Sequence, residues 1–453
     1  MVRPARRLRA GSGAVAAPEQ GDGRAEGPGA EVPRRRRRPQ PVRRPQPLRL
    51  LVRLRSLLGP SSDVVRQSLI SLTLNSSTSL VAGAVLGAIT DTFERFPGLL
   101  VLVPAAIGLR GNVFSAFGNR LSTAIHLGNF RLSVRRQTLM GQNVAASLVL
   151  TLTLSLLLAV VAKTVAVALG VMHTISILDL ALISIVGGSL ASVVVLVATI
   201  LLAAGSVRYG WDLDNLTAPL VSTLGDVLTL PALWVASLLL DVKPVARILG
   251  AAVTAVVVVT FVAAWRSKED VLRTVVRESM PILFTAACLS TMAGITIEKR
   301  LATFATYPAL LILFPAFISS AGALGGILSS RLSTKLHLGL MAPASFPNRD
   351  ARTDGALILL LSLPVYVFNA VGADVVGRAL GQASPGLLEM VVVSLLGGMV
   401  AVLFVIAVAY YGTIAAVRLG ADPDTYGIPL VTSSVDFAGA VALIVVIVWV
   451  GIG

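Results

Sequence analysis

Two aspartates in apolar stretches are the residues of this 453-residue chain whose type and spacing best suit chemistry. Asp226 and Asp436 occupy matching positions of an internal repeat (436 − 226 = 210). About one helical turn before them lie the hydroxyl side chains of Ser222, Thr223, Thr432 and Ser433. A charged carboxylate at membrane depth costs about 2.5–3.5 kcal/mol, and such residues usually line an ion or substrate path. A structural hydrogen bond explains one such aspartate, whereas two equivalent ones favour a path.

The ligand chemistry of this pair indicates a hard divalent cation. Mg²⁺ prefers oxygen ligands, keeps several of its waters and is held by one or two carboxylates. Ca²⁺ usually takes a fuller oxygen cage, and soft metals select Cys, Met or His, which do not cluster near the aspartates. We therefore expect Mg²⁺ as a transported ion, and no cofactor. The single Cys288 excludes an intrachain disulfide.

A second pair of acids is a weaker candidate for contact with ions. Asp91 and Glu298 each follow a glycine by four residues, near the outer end of the first predicted helix of each repeat unit. Their position predicts a role in attracting ions from outside. The alternative interpretation is an ordinary hydrated helix end.

The composition indicates a membrane protein. Hydrophobic residues make up 55 % of the chain and charged residues 13 %, against about 25 % charged residues in soluble domains. The net charge of +15 is concentrated in residues 1–60, which are rich in Arg, Pro and Gly. This basic arm is predicted to be disordered because it has too few apolar residues to bury. The charge therefore does not indicate a nucleic-acid-binding fold.

A long internal repeat predicts the architecture. Residues 96–128 match residues 307–339 at an offset of 211 (307 − 96 = 211), and both segments contain the run Arg-Leu-Ser-Thr. Apolar segments predict about eleven spans, arranged as five, one and five. We predict an all-α polytopic membrane protein. Two five-helix repeats, residues 67–240 and 280–453, are joined by residues 241–279, which hold one extra transmembrane helix and a cytoplasmic linker.

The distribution of Lys and Arg predicts the orientation. The basic arm and the most basic loops fall on one side of the membrane, which is cytoplasmic by the positive-inside rule. The N-terminus is then cytoplasmic and the C-terminus outside, in a multi-pass protein of the cell membrane. Because six spans precede the second repeat, the two repeats are expected to insert in parallel. The two halves of one chain would then pair as the subunits of a dimer do, in an intramolecular pseudo-dimer. Such a chain could act as a monomer.

The motif PAAIGLRGNVFSAFGNRLSTAIHLG, followed by DLDNLTAPLVSTLGD, resembles the membrane domain of the MgtE family of magnesium transporters. The tandem arrangement is similar to the eukaryotic solute-carrier branch of that family. The resemblance implies a five-helix domain paired around a central cation pathway, with the acid of the fifth helix at Asp226 and Asp436. The family's Gly-Asn pair falls on Gly111 and Asn112, whereas the second repeat has alanine at position 323.

Together these observations predict a divalent cation transporter whose ion path lies between the two halves. One alternative is exchange of Mg²⁺ coupled to Na⁺ or H⁺. An alternative of another class is a non-transporting membrane scaffold or sensor that works through the basic arm. No catalytic motif is visible, so an enzyme is not expected. The expected partners are Mg²⁺, other divalent cations and the lipid bilayer, and no nucleic acid.

Overall fold

A computed structural model describes residues 62–128, 130–135, 137–171, 174–209, 213–337, 339–418 and 428–452 of the chain. All of them belong to one compact unit, Pro60–Gly453. The basic arm at residues 1–60 lies outside the described residues, so its predicted disorder stays a prediction.

The described residues form helices and no strands, which confirms the all-α prediction. The helices are α1 (Ser62–Ala88), α2 (Thr90–Arg95), α3 (Leu99–His126), α4 (Leu139–Ala168), α5 (Ile177–Tyr209), α6 (Leu213–Ser237), α7 (Lys243–Trp265), α8 (Asp270–Glu298), α9 (Leu301–Thr306), α10 (Ala309–His337), α11 (Arg349–Ala379), α12 (Leu387–Arg418) and α13 (Ile428–Val450). A short 3₁₀ helix, Leu238–Asp241, follows α6.

Eleven of the described helices are long and apolar enough to cross a membrane, as predicted. Helices α5 and α12 are apolar on every side, which is typical of a span that touches lipid and protein at once. The two short helices, α2 and α9, are equivalent and connect the first and second spans of each half. Six of these eleven candidate spans precede α8.

The first helix of each half packs against the opposite half. Helix α1 lies on α10 and α11, and α8 lies on α3 and α4. Two glycines allow this close contact: a Cβ atom at Gly83 would overlap the backbone of Ile312, and one at Gly294 would overlap the backbone of Val101. These contacts are equivalent, because both pairs are related by the repeat offset (294 − 83 = 211 and 312 − 101 = 211). Small residues at such interfaces let helix backbones approach closely.

The remaining spans of each half form a four-helix group. In the first half α3 and α5 both pack on α6, and in the second half α10 and α12 both pack on α13. Gly187 lies against Leu233, and the equivalent Gly397 lies against Leu443. Helices α1 and α8 also contact α6 and α13 of their own halves. They therefore connect the two groups at the place where the predicted aspartates lie.

Candidate functional site

The two predicted aspartates lie inside the protein, on equivalent helices. Asp226 on α6 is buried, with 6 % of its surface exposed, and Asp436 on α13 is partly buried. The two carboxylates are close enough to interact electrostatically. In the described parts of the chain no lysine or arginine forms an ion pair with either of them. The structure thus brings together two carboxyl groups without a fixed counter-ion among the described residues.

Each carboxylate accepts a hydrogen bond from a serine on the first helix of its own half. The Ser290 hydroxyl donates to Oδ2 of Asp436 at 2.8 Å, and the Ser79 hydroxyl donates to Oδ2 of Asp226 at 3.5 Å. The two serines are equivalent (290 − 79 = 211). Sequence reasoning missed them, although each precedes the interface glycine of its helix by four residues. Extending the comparison of the two repeats to their first helices would have identified them, because the same serine and glycine recur with the same spacing.

The surroundings of the two carboxylates differ. The Ser319 side chain of α10 also lies beside Asp226. Ser319 and Asn75 are joined by hydrogen bonds of 3.0 and 3.2 Å between their side chains. The position equivalent to Ser319 is Gly108 (319 − 108 = 211), where a Cβ atom would lie 3.9 Å from Oδ2 of Asp436. At this pair of positions the Asp226 side therefore has a hydroxyl that the Asp436 side lacks.

A second layer of hydrogen bonds supports the Asp226 side. Ser76 and Ser320 hydroxyls are 3.0 Å apart, and the Asn369 amide donates to Ser320 Oγ at 2.9 Å and to the Ala316 carbonyl at 3.1 Å. This chain of bonds connects α1, α10 and α11. The equivalent positions in the other half, given by the same offset of 211 (287 − 76 = 211), are apolar: Ala287, Leu109 and Leu158.

The predicted hydroxyl residues of the fifth spans lie near the aspartates along α6 and α13. Thr223 is partly buried, Ser433 is buried at 3 % exposure, and Thr432 lies beside Gly322 of α10. The side chain of Ser222 lies outside the described part of the structure. The donors identified for the carboxylates come from α1 and α8 instead. Contact of the four predicted hydroxyls with the waters of an ion stays a prediction.

Asn112 is partly buried on α3, one helical turn after Gly108, so the two positions share the helix face that approaches Asp436. Its equivalent in the second half is Ala323 (323 − 112 = 211), so any contribution of this amide is limited to one half. The neighbouring Gly111 contacts α6 closely, because a Cβ atom at Gly225 would lie 3.5 Å from its backbone nitrogen.

Asp91 and Glu298 occupy different environments. Glu298, at 7 % exposure, accepts a hydrogen bond of 2.7 Å from the backbone nitrogen of Gly98, at the start of α3. Its second carboxylate oxygen is buried and has no hydrogen-bond partner in the described structure. Asp91 is exposed in the first turn of α2. The repeat equivalent of Glu298 is Gly87 (298 − 87 = 211), so the two acids are not a symmetric pair. Their role in attracting ions stays a prediction.

The site offers few protein ligands to a metal. The described residues contain no group of three or more His, Cys, Asp and Glu side chains that could hold a metal ion. What the arrangement provides is two carboxylates, serine hydroxyls and the side-chain amides of Asn75 and Asn112. Such a set suits a cation that keeps most of its own water ligands.

The comparison with protein families decides the identification. The model of the family MgtE, described as divalent cation transporter, matches residues 103–236 and 314–446, more than half of the chain. The chain belongs to the MgtE family. The two matched segments correspond to the two repeats, so this is a tandem MgtE protein. Asp226 and Asp436 lie within the matched segments, whereas Ser79 and Ser290 precede them.

Relatives of this MgtE protein include members of solute carrier family 41. The chain is 25 % identical to solute carrier family 41 member 2 of Gallus gallus over 415 residues, which cover 85 % of this chain and 70 % of the relative. For the Homo sapiens protein of the same name the identity is 25 % over 410 residues, 83 % and 69 % of the two chains. Member 3 of Rattus norvegicus is 24 % identical over 395 residues, 82 % and 84 %. No solved structure matches.

Proposed function

We propose that this divalent cation transporter moves Mg²⁺ along a path between its two halves, with Asp226 and Asp436 on that path. The observation that carries the proposal is the pair of equivalent carboxylates at the junction of the halves, which have no fixed counter-ion among the described residues. A pair with a purely structural role would be expected to have a lysine or arginine beside it.

The electrostatics of the pair favour a divalent ion. Each ionised carboxylate costs about 2.5–3.5 kcal/mol at membrane depth, and the two repel each other. A single ion of charge +2 between them offsets both costs, whereas a monovalent ion leaves one negative charge in excess. The serine hydroxyls of Ser79 and Ser290 hold the carboxylate oxygens in place from the neighbouring helices. This geometry supports the binding of an ion that arrives with its waters.

The number of ligands favours Mg²⁺ over other divalent cations. Ca²⁺ takes six to eight oxygen ligands and is usually surrounded by protein groups, whereas Mg²⁺ loses water reluctantly and is held through one or two carboxylates. The amide of Asn75 and the hydroxyl of Ser319, which hydrogen-bond each other, add polar groups beside Asp226 without adding charge. Such groups are suited to hydrogen bonds with metal-bound water.

Both halves of the path come from one chain, so we infer that a monomer is sufficient for transport. We also infer that the N-terminus is cytoplasmic and the C-terminus outside, because the basic arm and most basic loops fall on one side. Single cysteines placed in the loops of a Cys288→Ser background, labelled from outside intact cells, test this orientation. Labelling of the loop at residues 339–348 in intact cells would contradict it.

Uptake of Mg²⁺ by proteoliposomes that contain the purified full-length chain tests the function. A fluorescent Mg²⁺ indicator inside the vesicles reports uptake, with Ca²⁺ as the competing ion and empty vesicles as the control. We expect Mg²⁺ to enter and Ca²⁺ to compete poorly. Imposed Na⁺ and H⁺ gradients distinguish the mechanisms, since exchange requires one of them and a channel requires neither. A well-folded protein that moves no divalent cation would overturn the proposal.

A further inference from the structure

A groove of about 370 Å³ lies at one end of the second half, between α10, α11 and α12. Its walls are mostly apolar, and Arg352, Tyr410 and Tyr411 line it at the end nearest the loop of residues 339–348. Leu403 and Ile406 of α12 form part of the apolar wall. This groove is separate from the aspartate pair and does not enter the proposed ion path.

Small residues of α11 line the groove. At Gly355 the backbone of α11 lies close to α12, because a Cβ atom there would be only 3.3 Å from Cγ2 of Ile406, so a larger side chain would crowd the groove wall. The equivalent position in the first half is Val144 (355 − 144 = 211). Likewise, the position in the first half that is equivalent to Ala351 is occupied by Met140 (351 − 140 = 211). The repeat therefore carries larger side chains at the same place in the other half.

The mouth of the groove is positively charged. Arg352 is exposed, and its Nε donates a hydrogen bond of 3.0 Å to the carbonyl of Pro347, which also lines the groove. Within the described residues no carboxylate pairs with Arg352. Arg418 is exposed nearby, since its guanidinium donates to the Pro343 carbonyl at 3.0 Å and to Ser345 Oγ at 3.2 Å. In the first half the position of Arg352 is occupied by Gly141 (352 − 141 = 211).

The surface around the groove has the character of a membrane interface. Leu403 is 61 % exposed and Tyr411 52 % exposed, so the groove opens toward the lipid-facing side of α12. Phe346, in the loop at the mouth, is 78 % exposed. Aromatic residues with these positions are typical of the boundary between acyl chains and headgroups. A lipid is consequently the molecule that reaches this groove most directly.

We propose that the groove binds one anionic phospholipid, with an acyl chain along the apolar wall and the phosphate at Arg352. Basic pockets between transmembrane helices at a membrane surface are suited to anionic headgroups. The repeat comparison supports a specific site, because the first half replaces both the arginine and the glycine that the proposal requires. The proposal does not depend on which ion the protein moves.

Native mass spectrometry of the purified full-length chain tests this site. The protein is exposed to an equimolar mixture of phosphatidylglycerol and phosphatidylcholine, and the lipid that remains bound is counted. We expect selective retention of phosphatidylglycerol by the wild type. Arg352→Ala is expected to lower that retention about fivefold, because one basic residue near a membrane surface strengthens the binding of anionic lipid by about this factor. Arg273→Ala removes an exposed arginine of α8 and is expected to change nothing.

Gly355→Val tests the apolar part of the site, because it introduces the side chain found at the equivalent position of the first half. We expect it to abolish retention of the lipid while Mg²⁺ uptake persists. If this variant fails to fold, the lipid selectivity of the wild type and the effect of Arg352→Ala still test the proposed lipid site. Equal retention of the two lipids, or phosphatidylglycerol binding that survives Arg352→Ala unchanged, would overturn the proposal.

Discussion

The hydroxyl of Ser290 donates a hydrogen bond of 2.8 Å to Oδ2 of Asp436, and the equivalent Ser79 donates to Asp226 at 3.5 Å. These bonds attach the first helix of each half to the fifth span of the same half. The same two helices pack on the second and third spans of the opposite half. Each first helix therefore joins the candidate site to the contact between the halves.

Replacing the serine donors is expected to weaken transport. A hydrogen bond to a charged group contributes about 1.5–3 kcal/mol, so Ser290→Ala is expected to lower the rate of Mg²⁺ uptake about tenfold. Ser79→Ala is expected to have a smaller effect because its bond is longer. Uptake into proteoliposomes at matched protein content measures both variants. Thr285→Ala, at an exposed position of the same helix as Ser290, is the control and is expected to behave as wild type.

The asymmetry of the site predicts unequal roles for its two sides. Asn75→Ala combined with Ser319→Gly makes the Asp226 side resemble the Asp436 side, and we expect a higher half-saturating Mg²⁺ concentration. The reciprocal variant Gly108→Ser adds a hydroxyl near Asp436, where a Cβ atom meets only ordinary contact distances. We expect Gly108→Ser to fold and to lower the half-saturating concentration. Unchanged concentration dependence in both variants would show that these groups do not contact the ion or its waters.

The close packing of α8 on α3 of the opposite half predicts that a larger side chain at Gly294 lowers the stability of the protein. Gly294→Ala places a Cβ atom against the backbone of Val101, and overpacking of this kind costs about 1–3 kcal/mol. We expect a lower temperature of thermal unfolding, measured by fluorescence-detected size-exclusion chromatography of heated samples. Gly326→Ala is the control, because nothing lies within 4 Å of a Cβ atom there. Equal unfolding temperatures for the two variants would contradict the close packing of α8 on α3.

Glu298 offers a test that separates a structural role from ion attraction. Glu298→Ala leaves the backbone nitrogen of Gly98 without its acceptor, and loss of a buried partner costs about 1–3 kcal/mol. Glu298→Gln keeps an acceptor oxygen and removes only the charge. If the residue acts as a helix cap, the alanine variant unfolds at a lower temperature and the glutamine variant transports normally. Normal stability of both variants with reduced uptake by Glu298→Gln would favour the predicted role in attracting ions.

Much of the fold follows from local features of the sequence. Apolar length predicts the eleven spans, and the repeat predicts which spans are equivalent. Asp226 and Asp436 stand out because charges are rare in such segments. The similarity between the repeats is strong in these regions, and the match to the MgtE family lies there too.

The contacts of α1 and α8 with the opposite half were not predictable in this way. They depend on packing between segments about 200 residues apart, such as Gly83 with Ile312, and an apolar helix pattern carries no information about its partner.

The pairing of Asp91 with Glu298 illustrates a related difficulty. Their equal spacing from Gly87 and Gly294 suggests equivalence, but the repeat matches Gly294 with Gly83, one helical turn earlier.

The measurement that tests the central claim most directly is Mg²⁺ uptake by the double variant Asp226→Asn/Asp436→Asn in proteoliposomes. Each substitution keeps the size of the side chain and removes its charge, so a folded protein is expected, and size-exclusion chromatography verifies it. Glu278→Gln, which removes an exposed charge of α8, is the matched control. The account predicts that the double variant takes up Mg²⁺ about tenfold more slowly than the wild type or slower still, and a tenfold change corresponds to about 1.4 kcal/mol. The control is expected to keep the wild-type rate. Wild-type uptake by a folded double variant would contradict the account.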